Sequence, residues 1–294
     1  MSEIIELTEK QKRLLQLNIL ELIVEVDRIC KKNNINYSLD GGTLLGAIRH
    51  KGFVPWDDDG DVIFTRSEYE KFYYACKKDL NKTHFFLQEY RTDDEYRWGY
   101  AKLRLLGTDV VRKGHEKLKF KSGVCIDIFV NDNVPDNKVL RWLYYWNNVC
   151  IRKCLYSEMG RTNAPSLFLR KWYSLLYKLV SKDKAFAVRN FWASKCNRKK
   201  TELVSHLLFP YPKKTCKFGM PRECFEEYID VEFEGMVFKA FKQYDKYLSI
   251  LYGDYMKLPP VEKQKGQLNP VVFNIKYVTI EEINERYIRE NTIY

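Results

Sequence analysis

Four aspartates lie close together near residue 60 of the chain, at positions 57, 58, 59 and 61. The residues that follow them are apolar, and we predict a strand at residues 59–64. Alternate side chains on a strand point to the same face, so Asp59 and Asp61 share one face, about 6.5–7 Å apart at the backbone. Paired carboxylates bind hard divalent cations through oxygen. The spacing therefore predicts a metal site.

A third carboxylate for this site is found in the apolar run VCIDIFV, which contains Asp127. We predict a strand at residues 124–129, and an aspartate inside such a strand is costly unless it is paired or bound to a metal. Asp127 is therefore the candidate for the third ligand. The alternative is that residues 57–61 form an exposed acidic turn and that Asp127 caps another element.

A pair of glycines precedes these acids, in the sequence Gly41-Gly42-Thr43. We predict that it joins a strand at residues 35–39 to a short helix at residues 43–49. Glycines let the backbone approach a phosphate closely, and a helix start offers free N–H groups to an anion. A plain tight turn is the alternative.

Six further side chains are candidates for substrate contacts. The basic ones suit diphosphate oxygens, although each could equally be a surface charge. A tryptophan beside the acids could stack on a base or pack under the loop, and one of the acids could shape the loop or contact substrate. These candidates are Arg49, His50, Trp56, Asp58, Lys102 and Arg104.

Periodicity predicts the elements that position these residues. A capping box of Thr8 and Gln11 opens a helix of about 24 residues, and a second box of Ser67 and Glu70 opens a helix that runs to about residue 78. Further strands are predicted at residues 85–89 and 100–105. The order of elements indicates an α+β fold with a small mixed sheet flanked by helices.

The chain changes character after residue 135. Helices are predicted at residues 140–155, 166–181 and 188–200. Residues 138–200 hold fifteen Lys and Arg against two acids, a balance of +13, so the rest of the +11 chain nets −2. Twelve aromatics accompany them. Basic helices with aromatic residues favour an anionic membrane surface. The alternatives are a packed helical domain with a solvated face and a nucleic-acid surface, although no nucleic-acid-binding motif is present.

Later signals complete the predicted organisation. Residues 209–212 (FPYP) predict a break, residues 231–238 a strand pair turning at Gly235, and residues 240–252 a helix that Gly253 stops. We therefore predict a catalytic domain at 1–135, a basic aromatic helical insert at 136–205 and a C-terminal module at 206–294 that completes the site.

Composition narrows the class of protein. No apolar run is long enough to cross a membrane and the first residues do not resemble a signal peptide, so we expect a cytoplasmic protein. The eight cysteines include no C-x-x-C pair, which indicates reduced thiols rather than a structural zinc site.

Two sequence motifs resemble the LicD family of phosphocholine transferases. The first is GGTLLGAIRHKGFVPWDDDGDVIFTRSEYEKF, and the second is YGDYM followed by LPP at residues 252–260. That family is related to the fukutin-type ribitol-phosphate transferases and has a nucleotidyltransferase-like fold. The resemblance implies that Gly41 and Gly42 form the glycine motif, that Asp59 and Asp61 are the paired metal carboxylates and that Asp127 is the third. Family members often have a histidine soon after the Pro-Pro, and residues 263–267 (KQKGQ) contain none.

The resemblance also implies a reaction. A metal-dependent transferase of this kind moves phosphocholine from CDP-choline to a sugar hydroxyl of a cell-surface glycan or teichoic-acid precursor. Two Mg²⁺ ions, or Mn²⁺, would be held by Asp59, Asp61 and Asp127, and one of these carboxylates, with Asp127 as the candidate, would accept the hydroxyl proton. The acceptor would be lipid-linked, so we expect a peripheral protein at the inner face of the cell membrane, with no nucleic-acid partner.

Alternatives to this reaction remain open from the sequence. The chain could transfer another phospho-alcohol, ribitol or glycerol phosphate, from its CDP donor, or it could be a nucleotidyltransferase that releases diphosphate. A nucleic-acid-binding or scaffold protein with structural acids is the alternative from a different class.

Overall fold

The computed structural model describes residues 3–207, 211 and 218–291. Helices pack around a mixed β-sheet, so the predicted α+β class is confirmed. Within the described residues the strands are β1 (Ser38–Leu39), β2 (Asp61–Thr65), β3 (Phe85–Gln88), β4 (Ala101–Leu105), β5 (Asp109–Arg112), β6 (Cys125–Asn133), β7 (Leu203–His206), β8 (Met220–Pro221), β9 (Tyr228–Phe233), β10 (Met236–Phe241) and β11 (Pro270–Asn274). The predicted break at residues 209–212 lies outside the described residues except for Tyr211.

The described residues form nine α-helices. Over the same ranges they are α1 (Glu9–Lys32), α2 (Gly41–His50), α3 (Arg66–Asp79), α4 (Lys138–Leu155), α5 (Ser157–Asn163), α6 (Leu167–Leu179), α7 (Lys182–Cys196), α8 (Tyr244–Tyr252) and α9 (Ile280–Asn291). Short 3-10 helices lie at Arg222–Phe225 and Val261–Lys263. None of the described helices is both long and apolar enough to cross a membrane.

The central sheet has the order β1-β2-β6-β4-β3, and β7 extends it from the far end of β6. Strands β2 and β6 run parallel, whereas β6 and β4 are antiparallel. The long strand β6 is therefore the centre of the sheet, and its first residues lie between the two neighbours that carry Asp61 and Lys102.

Helix α1 covers one face of this sheet. Both hydrogen bonds of the predicted Thr8–Gln11 capping box are present, and the helix has the predicted length of 24 residues. Its side chains Ile19, Leu22 and Val26 are almost fully buried in the main core. Burying such side chains contributes about 1.5–3 kcal/mol each, so α1 fixes the sheet from behind.

Two predictions near the acids are wrong in detail. Strand β2 begins at Asp61 rather than at Asp59, because residues 57–60 form an extended loop before it. Helix α3 begins at Arg66 with Thr65 at its N-cap position, and no side chain caps it. The predicted capping residue Glu70 instead pairs with Arg66 and Arg91.

The predicted helical region is present, with different bounds. Helix α7 begins at Lys182, earlier than predicted, because the Ser181 hydroxyl caps its first turn by accepting from the Lys184 N–H. The short helix α5, which packs against α6, was not predicted.

The C-terminal residues return to the site. The predicted turn at Gly235 joins β9 to β10, and α8 ends at Gly253, where φ is 70°. Strand β11, which sequence periodicity did not reveal, pairs with β5. The main core includes side chains from α1 through to Ile283 in α9. The division of the chain at residues 135 and 205 stays a prediction.

Candidate active site

Strand pairing brings two of the predicted acids side by side. Asp61 on β2 and Asp127 on β6 are direct neighbours in the parallel register. The Asp127 N–H donates to the Gly60 carbonyl at 2.8 Å, and the Asp61 N–H donates to the Thr43 hydroxyl at 2.9 Å. Thr43 therefore holds the start of β2 against α2, which makes it a positioning residue for the acids.

The two glycines form the first turn of α2 rather than a separate loop before it. A Cβ on Gly41 would lie 3.0 Å from Asp61 Oδ2, and a Cβ on Gly42 would lie 2.5 Å from Asp57 Oδ2. Gly41 also has a φ of 50°, which disfavours other residues. The glycines thus let carboxylates approach the helix start, while their contact with a phosphate stays a prediction.

The loop before β2 concentrates negative charge. One carboxylate oxygen from each of Asp57, Asp58 and Asp59 lies within 4.8 Å of the others. Burial, with the charges of Asp59 and Asp58, raises the pKa of Asp57 to about 8. Burial also raises the pKa of Asp59, and burial together with Asp59 and Asp127 raises that of Asp61. These carboxylates repel one another in a poorly solvated place, so a cation there would be strongly favoured.

Behind this cluster lies a further carboxylate, at the N-cap position of α2. Asp40 accepts a hydrogen bond from the Tyr247 hydroxyl, and burial raises its pKa to about 6. Tyr252, in the YGDYM motif, has its hydroxyl 3.7 Å from where a Gly41 Cβ would lie, and burial and Asp40 raise its pKa. Tyr252 is the last residue of α8, so the end of this helix borders the acid cluster.

Strand β4 supplies the two predicted basic residues. The Lys102 ammonium donates to Asp127, and although burial lowers the pKa of Lys102, this carboxylate raises it above its ordinary value. The Arg104 guanidinium donates to the Gln88 side chain at 2.5 Å and to the Gly123 carbonyl at 2.9 Å. Lys102 is thus paired within the acid cluster, whereas Arg104 is tied to the neighbouring strand and loop.

The remaining predicted residues lie beside the acids and outside the cavity wall. Arg49 donates to the Tyr255 carbonyl at 2.7 Å and to the ring of His50 at 2.9 Å. Burial lowers the pKa of His50, whose ring lies edge-on to Trp56. Arg49 therefore fastens the YGDYM segment to α2, and a substrate contact by these three side chains stays a prediction.

An open cavity of about 810 Å³ lies over the acids. Its wall contains Asp58, Asp59, Asp61 and Asp127 on one side. Basic side chains of the wall come from separate elements, and they are Lys102, Arg104, Arg112, Arg152 and Lys153. A cavity that combines a carboxylate cluster with several cations suits a metal ion together with the phosphates of a nucleotide.

The C-terminal residues complete this cavity. The Leu268 N–H donates to Asp58 at 2.8 Å, and Gly266 lies so close that a Cβ there would be 2.1 Å from the same carboxylate. Asp58 therefore links the acidic loop to the segment that leads into β11. This contact explains how a loop before β2 keeps one conformation without being part of the sheet.

Comparison with known proteins identifies the family. The model of the LicD/FKTN/FKRP nucleotidyltransferase domain matches residues 34–159. The lipopolysaccharide cholinephosphotransferase LicD of Haemophilus influenzae is 32% identical over 282 residues, which cover 88% of this chain and 96% of that protein. The chain belongs to the LicD family.

Shorter matches link this LicD-family chain to two uncharacterized proteins. One, from Rickettsia prowazekii, is 33% identical over 81 residues, covering 21% of this chain and 30% of that protein. The other, from Rickettsia typhi, is 46% identical over 46 residues, covering 16% of this chain and 15% of that protein.

Several residues of the LicD-family site were missed from the sequence. Arg112 lies on the unpredicted strand β5, and although burial lowers its pKa, Asp127 and Asp59 raise it. No pattern in the four-residue run DVVR would have indicated it. Asp57 had a signal, since it belongs to the acidic run, but strand periodicity favoured Asp59 and Asp61. Tyr252 also had one, because it begins the YGDYM motif.

The donor set of the LicD-family site fits a divalent cation. Among the ion pairs of the described residues, Lys102 with Asp127 belongs to the cluster, and none involves Asp57, Asp59 or Asp61. Carboxylate oxygens are the ligands that Mg²⁺ and Mn²⁺ prefer. Burial and the neighbouring carboxylates raise the pKa values of these three acids, and Arg112 offsets the shift of Asp59 only in part.

Proposed function

We propose that the protein transfers phosphocholine from CDP-choline to a sugar hydroxyl of a cell-surface glycan or teichoic-acid precursor. The support is the near full-length similarity to a lipopolysaccharide cholinephosphotransferase, combined with a cavity where acids and cations converge. In this reaction the hydroxyl oxygen bonds to the choline-bearing phosphorus and the bond to CMP breaks.

The acids would hold the metal that this reaction needs. Asp59, Asp61 and Asp127 are the proposed ligands of two Mg²⁺ or Mn²⁺ ions, and Asp57 and Asp58 are close enough to contribute. When bound, such ions neutralise charge on a diphosphate and align the two oxygens of an in-line displacement.

The chain's own cations would bind and orient the donor. Lys102 and Arg112 face Asp127 from β4 and β5, and they share the cavity wall with Arg152 and Lys153 of α4. Guanidinium groups bind phosphate oxygens in pairs, which would hold the diphosphate in one orientation. Desolvation by the walls strengthens each of these contacts.

Asp127 is the proposed acceptor of the proton from the sugar hydroxyl. The Lys102 ammonium donates to this carboxylate and holds it in place in the cavity wall. Its position at the start of β6, next to Asp61, supports this role, because both are proposed metal ligands and an attacking hydroxyl would be held beside them.

The test is a donor screen with the purified chain. CDP-choline, CDP-ribitol and CDP-glycerol are incubated with Mg²⁺ and a glycan acceptor, and CMP release is measured beside diphosphate release from CTP. We expect CMP from CDP-choline alone. CMP release only from CDP-ribitol or CDP-glycerol would replace the proposed donor, and diphosphate release from CTP would reject the transfer reaction.

A matched variant controls for contaminating activity. Asp59→Asn should abolish the CMP release, while Asp230→Asn should not change it. Asp230 lies on β9, is largely exposed and pairs with Lys239, so it carries the same chemical change outside the cavity. Activity retained by Asp59→Asn would show that these acids are structural.

A further inference from the structure

Helix α6 exposes the kind of surface that soluble proteins normally bury. None of its thirteen residues is buried. Its stripe of Phe168, Trp172, Leu175 and Leu179, spaced four, three and four residues, lies on one face. All four are exposed, with Phe168 77% and Trp172 50% accessible. Contiguous exposed apolar faces of this kind mark sites of interaction with a protein or a membrane.

The opposite face of α6 is the one that packs on the protein. Tyr173 lies against Gly160 of α5, where a Cβ would approach its ring to 2.3 Å. The Arg161 guanidinium lies 3.9 Å from the ring centre of Tyr177, and Arg170 donates to the Ala164 carbonyl at 2.7 Å. These contacts fix the rotation of α6 and direct its apolar stripe away from the protein.

Helix α4 also exposes apolar side chains, although its buried face holds Tyr144, Ile151 and Leu155. Its buried face includes the polar Arg141 and Asn148, and the Arg141 guanidinium donates to the carbonyls of Pro135 and Asp136. Its exposed residues include Trp142 and Trp146, together with Val139, Leu140 and Leu143. Lys153 of α4 donates to Tyr173 of α6 at 3.3 Å, so the two helices are neighbours.

Charge selects the kind of partner. Of the two acids in residues 138–200, Glu158 is buried and Asp183 is exposed, against fifteen Lys and Arg. Lys171 and Lys178 flank the apolar stripe of α6, as i, i+7 neighbours beside it. Lysines at the edge of an apolar stripe can extend their ammonium groups to the level of lipid headgroups.

We propose that the exposed apolar faces of α4 and α6 dock on the surface of an anionic lipid bilayer. The helices lie in the plane of the interface, with the tryptophan, phenylalanine and leucine side chains inserted below the headgroups and the lysines among them. This surface is independent of the transfer reaction, because its residues and its test involve neither a donor nor an acceptor.

The experiment is flotation of the full chain with lipid vesicles. One set contains phosphatidylglycerol mixed with phosphatidylcholine, and the other contains phosphatidylcholine alone. We expect binding to the anionic vesicles at low salt that weakens at high salt. Tryptophan fluorescence should shift to the blue on binding and should be quenched by brominated lipids.

Two variants locate the surface. The double variant Phe168→Gln/Trp172→Gln of α6 should weaken vesicle binding by about tenfold or more, since it removes two inserting side chains. The control is Val261→Gln/Tyr277→Gln, whose side chains are 77% and 84% exposed outside these helices. The control should bind as the unchanged chain does. Because all four residues are exposed, we expect both variants to keep the thermal stability of the unchanged chain.

Three results would overturn the proposal. The first is no binding to anionic vesicles at low salt, and the second is equal binding by the α6 variant. The third is a dimer in sedimentation that the α6 variant abolishes, with no vesicle binding, because these faces would then join two copies of the chain. Vesicle binding is measured without donor or acceptor, so its result can be interpreted even if the proposed transfer reaction is rejected.

Discussion

Strand β6 carries two partly or fully buried aspartates, and the protein treats them in opposite ways. At its start, Asp127 lies beside Asp59 and Asp61. Burial and the neighbouring carboxylates raise the pKa values of Asp59 and Asp61. Near its end, Asp132 accepts two hydrogen bonds from Arg66, at 2.7 and 2.8 Å, and one from Asn197 at 2.7 Å. Although burial raises its pKa, Arg66 and Arg189 lower it to about 2.

The difference separates an acid whose charge the protein compensates from acids that we propose to bind a metal. Asp132 lies among α3, α7 and β6, and two arginines compensate its charge. At the other end Lys102 pairs with Asp127 and Arg112 offsets the charge of Asp59 in part, while Asp57, Asp59 and Asp61 form no ion pair in the described part of the chain. Carboxylates held this close are stabilised either by protonation or by a bound cation, and the cation is the case that we propose here.

The largest expected effect is the loss of transfer activity when an acid of the cluster beside Asp127 is substituted. Asp61→Asn should lower transfer activity by about a thousandfold, because it removes a proposed metal ligand. Without a divalent cation the same change should raise the free energy of unfolding at neutral pH, since it removes a desolvated negative charge from a repelling cluster. The measurements are CMP release and thermal unfolding in chelator.

A second measurement on this variant sharpens the contrast. Mg²⁺ should raise the unfolding temperature of the unchanged chain and should raise that of Asp61→Asn much less. A variant that is inactive and also strongly destabilised in chelator would show that Asp61 holds the fold, as Asp132 does.

Substitution of Asp132, whose charge is compensated, should change the free energy of unfolding in the opposite direction. Asp132→Asn should lower the free energy of unfolding by about 3 kcal/mol, because it removes the carboxylate that pairs with the buried Arg189 and the partly buried Arg66, leaving Arg66 its longer ion pair with Glu70. The folded pKa of about 2 lies below the ordinary 3.8, so Asp132 contributes stability above pH 3.8 that is lost as the pH falls through 2. That contribution is about 2 kcal/mol.

Denaturant unfolding between pH 7 and pH 2 measures this contribution. The unchanged chain should lose more stability than Asp132→Asn over the acid part of that range. Parallel curves would show that the arginines do not depend on the charge of Asp132.

The smallest expected effect is on the glycine turn. Gly42→Ala should lower activity by about tenfold and the free energy of unfolding by about 1 kcal/mol, because the new Cβ displaces the Asp57 carboxylate. Gly52→Ala is the matched control, since its Cβ would meet the Glu234 carboxylate at the same 2.5 Å, outside the cavity. Equal activity losses would mean that the clash acts through general packing and not through the site.

Local patterns predicted the elements whose signal lies in consecutive residues. The Thr8–Gln11 box, the alternation around β2 and the lone acid in VCIDIFV each involve neighbours in sequence, and all led to real elements. The second box failed because Ser67 competes with Thr65, one residue before the helix, where the chain leaves β2. Ser67 and Thr65 both carry a hydroxyl that could cap a helix start. The helix begins directly after Thr65 because β2 ends there.

Long-range pairing accounts for what the sequence did not reveal. Strands β5 and β11 are short and become strands only by pairing with each other, so neither has a pattern of its own. Asp132 looked like any polar residue at the end of a strand, since Arg66 is 66 residues away and Arg189 is 57. The site residues that were missed, above all Arg112, belong to this class.

The segment that leads into β11 is made late in synthesis, so the acidic loop forms its contacts with this segment late. Asp58 receives its hydrogen bond from Leu268, and Asn18 of α1 donates to the Lys276 carbonyl, so the acidic loop is closed by residues made some 200 positions later. At ribosomal speeds of roughly 5–20 residues per second, the acids wait about 10 to 40 s for that closure. A nascent chain therefore carries an open acid cluster until residue 268 has been made.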